Sequence, residues 1–327
     1  MADLQTLDPQ IADLLAGILR PDPSAGSPTV EGVRAATSRL NEPLAGPGEP
    51  VFRTWDSTAD TSQGQVPLRW YQPSAASQDS LLVYIHGGGW VAGNLETHDT
   101  LCRALALRTS NIVVSVDYTL SPKAVHPQAI FEVADIFQQA KQLAIQSGFE
   151  IRNLAVAGDS AGGHLIASAL HHLAVSGLAL PDAAVFLYPI TDASLSYPSY
   201  ARFADRFGLT AERMRWYWQQ YLGEDLAAMG DRLRDPYVSP LHSSQLHRFP
   251  PSLVLTAAFD VLHDEAEALV HRLRESSVPV EHIDVPGQIH GFLRYRKALT
   301  DPVYGPDAVM EQIGKYLNRQ ASAKTTA

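Results

Sequence analysis

The sequence predicts an α/β fold, with a mostly parallel central sheet, helices on both of its faces and helical additions outside it. Three observations carry this. Short apolar runs alternate with segments of helical spacing over residues 81–190 and again over 253–318. One run, Leu154-Ala155-Val156-Ala157, leads straight into Gly158-Asp159-Ser160-Ala161-Gly162-Gly163, after which Leu165, Ile166, Ala169, Leu170 and Leu173 recur at helical spacing. A dense aromatic stretch then interrupts the alternation between Thr191 and Pro240.

The elements follow in order. Asp8-Pro9 marks a helix start, with Ile11, Leu14, Leu15, Ile18 and Leu19 as its apolar stripe. Thr29 caps a second helix carrying Val30, Val33 and Leu40, and the Pro/Gly-rich residues 43–50 read as a linker. Residues 51–55 and 66–71 read as strands joined by a polar turn. Strands are expected at 81–85, 112–116, 154–157 and 183–187, and helices at 97–108 and 129–144. The aromatic stretch holds Tyr197, Tyr200, Phe203, Trp216 and Tyr217, with Met214, Trp218 and Tyr221 on one helical face. It reads as a lid over a pocket or as a satellite core. A strand at 253–257, a helix at 263–274, a strand at 280–285 and a helix at 307–318 close the chain, and 324–327 should fray. This divides the chain into N-terminal helices (1–50), a first core segment (51–190), an insertion (191–240), a second core segment (241–320) and a tail (321–327).

Composition narrows the classes. The 327 residues suit one large α/β unit with an accessory piece. The net charge of −10 is spread along the chain, which argues against nucleic acid and anionic membranes. No apolar run approaches the ~18 residues of a membrane span, and the acidic start, Met1 to Gln10, lacks a secretory pattern, so a cytoplasmic protein is expected. Cys102 is the only cysteine and reads as a small core filler. The twelve histidines show no His-Glu-x-x-His and no His/Cys pairing, so no metal is expected.

The chemistry gathers at the carboxyl ends of the strands, where open α/β sheets place their ligands. Gly158-Asp159-Ser160-Ala161-Gly162 has the Gly-x-Ser-x-Gly pattern of a strand-turn-helix elbow, which lifts a serine hydroxyl above the sheet. Asp260 follows the run 253–259, and His290 lies in the loop after the strand ending near Val285. A serine hydroxyl is a weak nucleophile. His290 would take its proton and return it to the leaving group, and Asp260 would hold the imidazole tautomer. Asp264, at the start of the following helix, is the rival acid. His86-Gly87-Gly88-Gly89-Trp90 follows a strand directly. The N–H groups of Gly87, Gly88 and Ala161 are the expected oxyanion donors. The alternative, a dinucleotide fingerprint over Gly87-Gly88-Gly89-Trp90-Val91-Ala92 with Asp117 ending the next strand, is interrupted by Gly93-Asn94 and leaves the elbow, Asp260 and His290 without a role. Trp90, Tyr188, Phe207, Leu209 and Trp216 are candidate pocket walls.

With these residues assembled, the chain resembles the hormone-sensitive lipase family of α/β-hydrolases, in its bacterial carboxylesterase branch. His86-Gly87-Gly88-Gly89, Gly158-Asp159-Ser160-Ala161-Gly162-Gly163, Asp260-Val261-Leu262-His263-Asp264-Glu265 and His290-Gly291-Phe292 match its motifs, and Gly93-Asn94-Leu95-Glu96-Thr97-His98-Asp99 looks nearest the acetyl esterases. The family commonly has Glu where this chain has Lys123. The resemblance implies an α/β-hydrolase core and a cap built from the N-terminal helices and the insertion. It makes the first Asp of Asp260-Val261-Leu262-His263-Asp264-Glu265 the acid. It also implies hydrolysis of short-chain carboxylic esters without a cofactor. The expected partner is a small-molecule ester, and the expected state a monomer or homodimer. Two other readings stand beside it: a non-catalytic ligand-binding protein on the same scaffold, and an amide or thioester hydrolase.

Overall fold

The computed structural model describes residues 6–20, 26–76 and 78–325. Eight strands form one sheet in the order β1-β2-β4-β3-β5-β6-β7-β8. They are β1 (Arg53–Thr61), β2 (Gly64–Gln72), β3 (Ser80–Ile85), β4 (Ile112–Val116), β5 (Asn153–Asp159), β6 (Ala183–Leu187), β7 (Ser252–Phe259) and β8 (Val280–Ile289). β1 and β2 pair antiparallel as a hairpin, β2 meets β4 antiparallel, and every other pairing is parallel. The helices are α1 (Pro9–Ala16), α2 (Val30–Ala45), α3 (Leu95–Thr109), α4 (Gln128–Gln146), α5 (Ala161–Val175), α6 (Pro198–Arg202), α7 (Ala211–Leu222), α8 (Leu226–Met229), α9 (His263–Glu275) and α10 (Pro306–Thr325).

The parallel strands are apolar on both sides because both sides are covered. Leu81, Val83 and Ile85 of β3 join the core shared with α4, α5 and α9, whereas Leu82 and Tyr84 face α1, α3 and α10. Cys102 of α3 lies in this second layer, fully buried. The alternation of strand and helix expected from the sequence is the observed architecture. No helix of the described residues is long and apolar enough to cross a membrane.

Five local expectations are corrected. The 43–50 linker starts too early, since α2 runs through Pro43 to Ala45. Proline there removes a single N–H in the last turn, and burial of Leu44 with the Lys297 N–H donated to Leu44 O holds that turn in place. The hairpin strands are longer than expected, so that only Ser62 and Gln63 separate them. α1 stops at Ala16 and Gly17, leaving Ile18 44% exposed. β8 continues past Val285 to Ile289, with a register shift opposite Ala257 and Phe259. α10 extends to Thr325 rather than fraying from Lys324, because Lys324 reaches back to Asp182 at 2.7 Å; residues 326–327 lie outside the described residues.

Candidate active site

Ser160 stands between β5 and α5 with φ +55° and ψ −119°, a conformation non-glycine residues rarely adopt. The turn is tight because β5 and β3 run side by side beneath it. A Cβ at Gly162 would land on the carbonyl of Ile85. The Ser160 N–H donates to Leu187 O at 2.9 Å, tying the elbow to the end of β6. Asp260 follows β7 and His290 follows β8. The longer β8 places His290 at a strand end, not in a free loop.

The three side chains form one continuous chain of contacts. His290 Nε2 lies 2.8 Å from Ser160 Oγ, and His290 Nδ1 lies 2.6 Å from Asp260 Oδ2. The Asp260 side chain is fully enclosed, and its Oδ1 accepts the Leu262 N–H at 3.0 Å, which fixes the carboxylate plane. Asp264, the rival, turns elsewhere: its carboxylate takes Arg202, the Ser199 N–H and His263. Tyr188, at φ +37°, stands edge-on to the His290 ring with centroids 5.0 Å apart.

The glycine loop corrects one expected donor. The Gly87 N–H donates to Asp159 Oδ1 at 2.8 Å, where the Tyr84 hydroxyl also donates at 2.6 Å. That N–H is therefore committed. Burial works against the Asp159 charge, but His98 and Tyr84 hold its carboxyl well below the usual range. Gly88 and Gly89, at φ +120° and +61°, turn the loop, and their N–H groups meet no acceptor among the described residues. The Ala161 N–H is an orphan donor in the first turn of α5. His86 packs on Tyr118 at 4.4 Å beneath the loop, and burial lowers its pKa to about 3, so it stays neutral.

The expected pocket walls separate into two groups. Trp90 is not a wall. It is fully buried, donates to His164 Nδ1, stacks on Tyr221 at 4.4 Å and meets Trp218 at a tilt at 4.5 Å. Its expected role fails because the helical face of Met214, Trp218 and Tyr221 closes down on it. Phe207 packs against Phe259 at 5.2 Å, in the residues leading to Asp260, while Leu209 and Trp216 are half-buried. Tyr217 was named with the aromatic stretch but not as a wall, yet its ring fills the space a Cβ would need at Gly89. Its helical register, one position off the buried face of α7, was the available signal.

Among the described residues, His263, Asp264 and Glu267 are the His/Asp/Glu group close enough to share an ion. His263 and Asp264 already engage each other, Asp284 and Arg202.

A family model described as the alpha/beta hydrolase fold matches residues 82–294, a span that holds Ser160, Asp260 and His290. The chain belongs to the α/β-hydrolase family. Its relatives include an ethyl acetate hydrolase of Pseudomonas putida, 35% identical over 80% of this chain and 82% of that one. The carboxylic ester hydrolase LipN of Mycobacterium tuberculosis is 33% identical over 97% of this chain and 85% of its own. Among solved structures, an ester hydrolase from the metagenome of Lake Arreo superposes with a TM-score of 0.88 at 30% identity, covering 97% of this chain and all of that one. By this kinship the hydrolase is a carboxylic ester hydrolase of the hormone-sensitive lipase-like group, as its motifs led us to expect.

Proposed function

We propose that this hydrolase cleaves short-chain carboxylic esters through an acyl-enzyme on Ser160. The observation that carries the reading is the unbroken contact chain from Ser160 Oγ through His290 to the buried carboxylate of Asp260. His290 Nε2 accepts the hydroxyl proton as Oγ attacks the ester carbonyl, and Asp260 stabilises the imidazolium. The proton then passes to the departing alkoxide, releasing alcohol. Water, deprotonated by His290, attacks the acyl-enzyme and frees the acid and Ser160. The carbonyl oxygen is held by the N–H groups of Gly88, Gly89 and Ala161. Gly87 drops out because its N–H is taken. One such donor is worth roughly 3–4 kcal/mol of barrier.

The preference for short acyl chains rests on the crowding of Tyr217 over Gly89, and on relatives named for ethyl acetate and acetyl esters. Phe207, Leu209 and Trp216 complete the walls in this reading, whereas Tyr188, expected as a wall, is fully buried like Trp90 and packs against His290 instead. The esterase works on small molecules in the cytoplasm, as a monomer or homodimer. Hydrolysis of 4-nitrophenyl esters from acetate to palmitate, with Ser160→Ala as control, tests it. Rates peaking at two to six carbons and lost in the variant are expected. A maximum at decanoate or longer, or activity surviving in Ser160→Ala, would overturn it.

A further inference from the structure

The glycine loop is held in an unusual shape. Gly88, Gly89, Trp90 and Gly93 all lie at positive φ, between +60° and +120°. Such a run persists only where its surroundings over-determine it. Several of its holds come from the core. The Asp159 carboxylate takes the Gly87 N–H, the Tyr118 hydroxyl donates to His86 O at 3.0 Å, and Trp90 Nε1 donates to His164. One hold comes from the N-terminal helix α2. Arg34 Nε donates to Val91 O at 2.8 Å, and its Nη2 donates to Ser121 O at 3.1 Å. Val91 and Ser121 are buried, whereas Arg34 reaches in from the surface. Ser121 closes a ring of contacts, because its own N–H donates to Trp90 O at 2.9 Å.

The residue that Arg34 grips is the one that aims a donor. Val91 gives its N–H to Gly88 O at 3.2 Å, beside the Ala92 N–H at 2.9 Å. In a trans peptide the C=O and the following N–H point opposite ways. Fixing Gly88 O on the Val91 side therefore turns the Gly89 N–H to the other side. The guanidinium holds Val91 by its carbonyl, in a charge-assisted bond whose cation persists at every working pH. The far end of α2 has moorings of its own. Asn41 Nδ2 donates to Glu96 O at 3.3 Å, and the Lys297 N–H donates to Leu44 O at 3.0 Å.

We propose that Arg34 is a positioning residue for the oxyanion loop, so that the N-terminal helix is part of the frame of the catalytic centre. The proposal rests on the esterase reading above and goes beyond it by giving α2 a role in the reaction. Arg34 acts through Val91 and Ser121, not on the ester. Its removal leaves ester binding in place and weakens the hold on the oxyanion, so the effect falls on kcat.

The test compares wild type, Arg34→Ala, Arg34→Lys and Asn41→Ala on 4-nitrophenyl acetate. Taking kcat per site titrated with a fluorophosphonate cancels any loss of folded protein. Arg34→Ala should lower kcat by roughly 10–100-fold with KM within about threefold, the scale on which a misplaced oxyanion donor acts. Arg34→Lys, whose ammonium reaches one carbonyl but cannot fork to both, should fall between. Asn41→Ala removes a different mooring of α2, one that does not touch Val91 or Ser121, and should keep kcat. Wild-type kcat in Arg34→Ala, or a raised KM with kcat kept, overturns the proposal. So does an equal loss of kcat in Asn41→Ala, which is what a general loosening of α2 would give. Failure of the wild type on 4-nitrophenyl acetate would instead sink the short-chain esterase reading, and this inference with it.

Discussion

Gly87 gives its N–H to the carboxylate of Asp159, the residue just before the serine of the elbow, at 2.8 Å. One side chain thus ties the glycine loop to the elbow. Truncating it frees the Gly87 N–H and loosens the placement of Gly88 and Gly89. Asp159→Ala should lower kcat by roughly 10–100-fold with a small change in KM. Steady-state kinetics on 4-nitrophenyl acetate reads this, and an unchanged kcat would show that the loop keeps its shape unaided.

The two candidate acids are separable. Asp260→Asn keeps the shape but presents the wrong partner to His290, and should lower kcat by roughly 10²–10⁴-fold. Asp264→Asn removes the ion pair with Arg202 and leaves one amide oxygen where two carboxylate oxygens accepted, and should cost stability with kcat within a few fold. A reversal of the two phenotypes would reassign the acid.

Trp218 is fully enclosed between Trp90 and His164. Trp218→Ala should destabilise the fold by about 3–5 kcal/mol in urea unfolding. Trp90→Phe should lower stability while leaving the acyl-chain profile in place. A shifted profile would return Trp90 to the pocket.

His263 gives a pH signature. Burial opposes its charge, but the carboxylates of Asp284 and Asp264 raise its pKa from 6.5 to about 9. A raised histidine stabilises fully below its unfolded value and loses that contribution as pH rises through its folded value. The esterase should therefore lose on the order of 2 kcal/mol between about pH 6.5 and 9.5, discounting for partial exposure. His263→Gln should flatten this slope in thermal unfolding. Equal slopes in both proteins would remove His263 from the account.

The core and the meeting of Ser160, His290 and Asp260 were legible because their signals are local: apolar runs, an elbow with glycines at fixed offsets, and residues at strand ends. What was not legible depends on contacts distant in sequence. Gly87 was taken for a donor because nothing in its own segment shows that Asp159, 72 positions on, occupies its N–H. Trp90 follows three glycines and looks exposed until α7 folds over it. The last turn of α2 and the end of α10 are held by Lys297 and Asp182, which no reading of those helices alone includes.

Glu265 has a consequence for motion. Five residues after Asp260, it is wholly buried and takes the Thr191 N–H at 2.7 Å and the Tyr200 hydroxyl at 2.9 Å. At the other end, Ser239 Oγ accepts the Ala193 N–H at 2.8 Å, and the Val238 carbonyl lies 2.9 Å from His164 Nε2. The stretch between β6 and β7 is thus clamped at both its roots, and one clamp stands on the segment that holds the base in place. Between these roots the buried face of α7 (Met214, Trp218 and Tyr221) packs on Trp90, so breathing of the entrance is confined to the turn 203–210 between α6 and α7. Amide exchange should run fast there and slow at Thr191, so that admission of substrate leaves the alignment of His290 untouched.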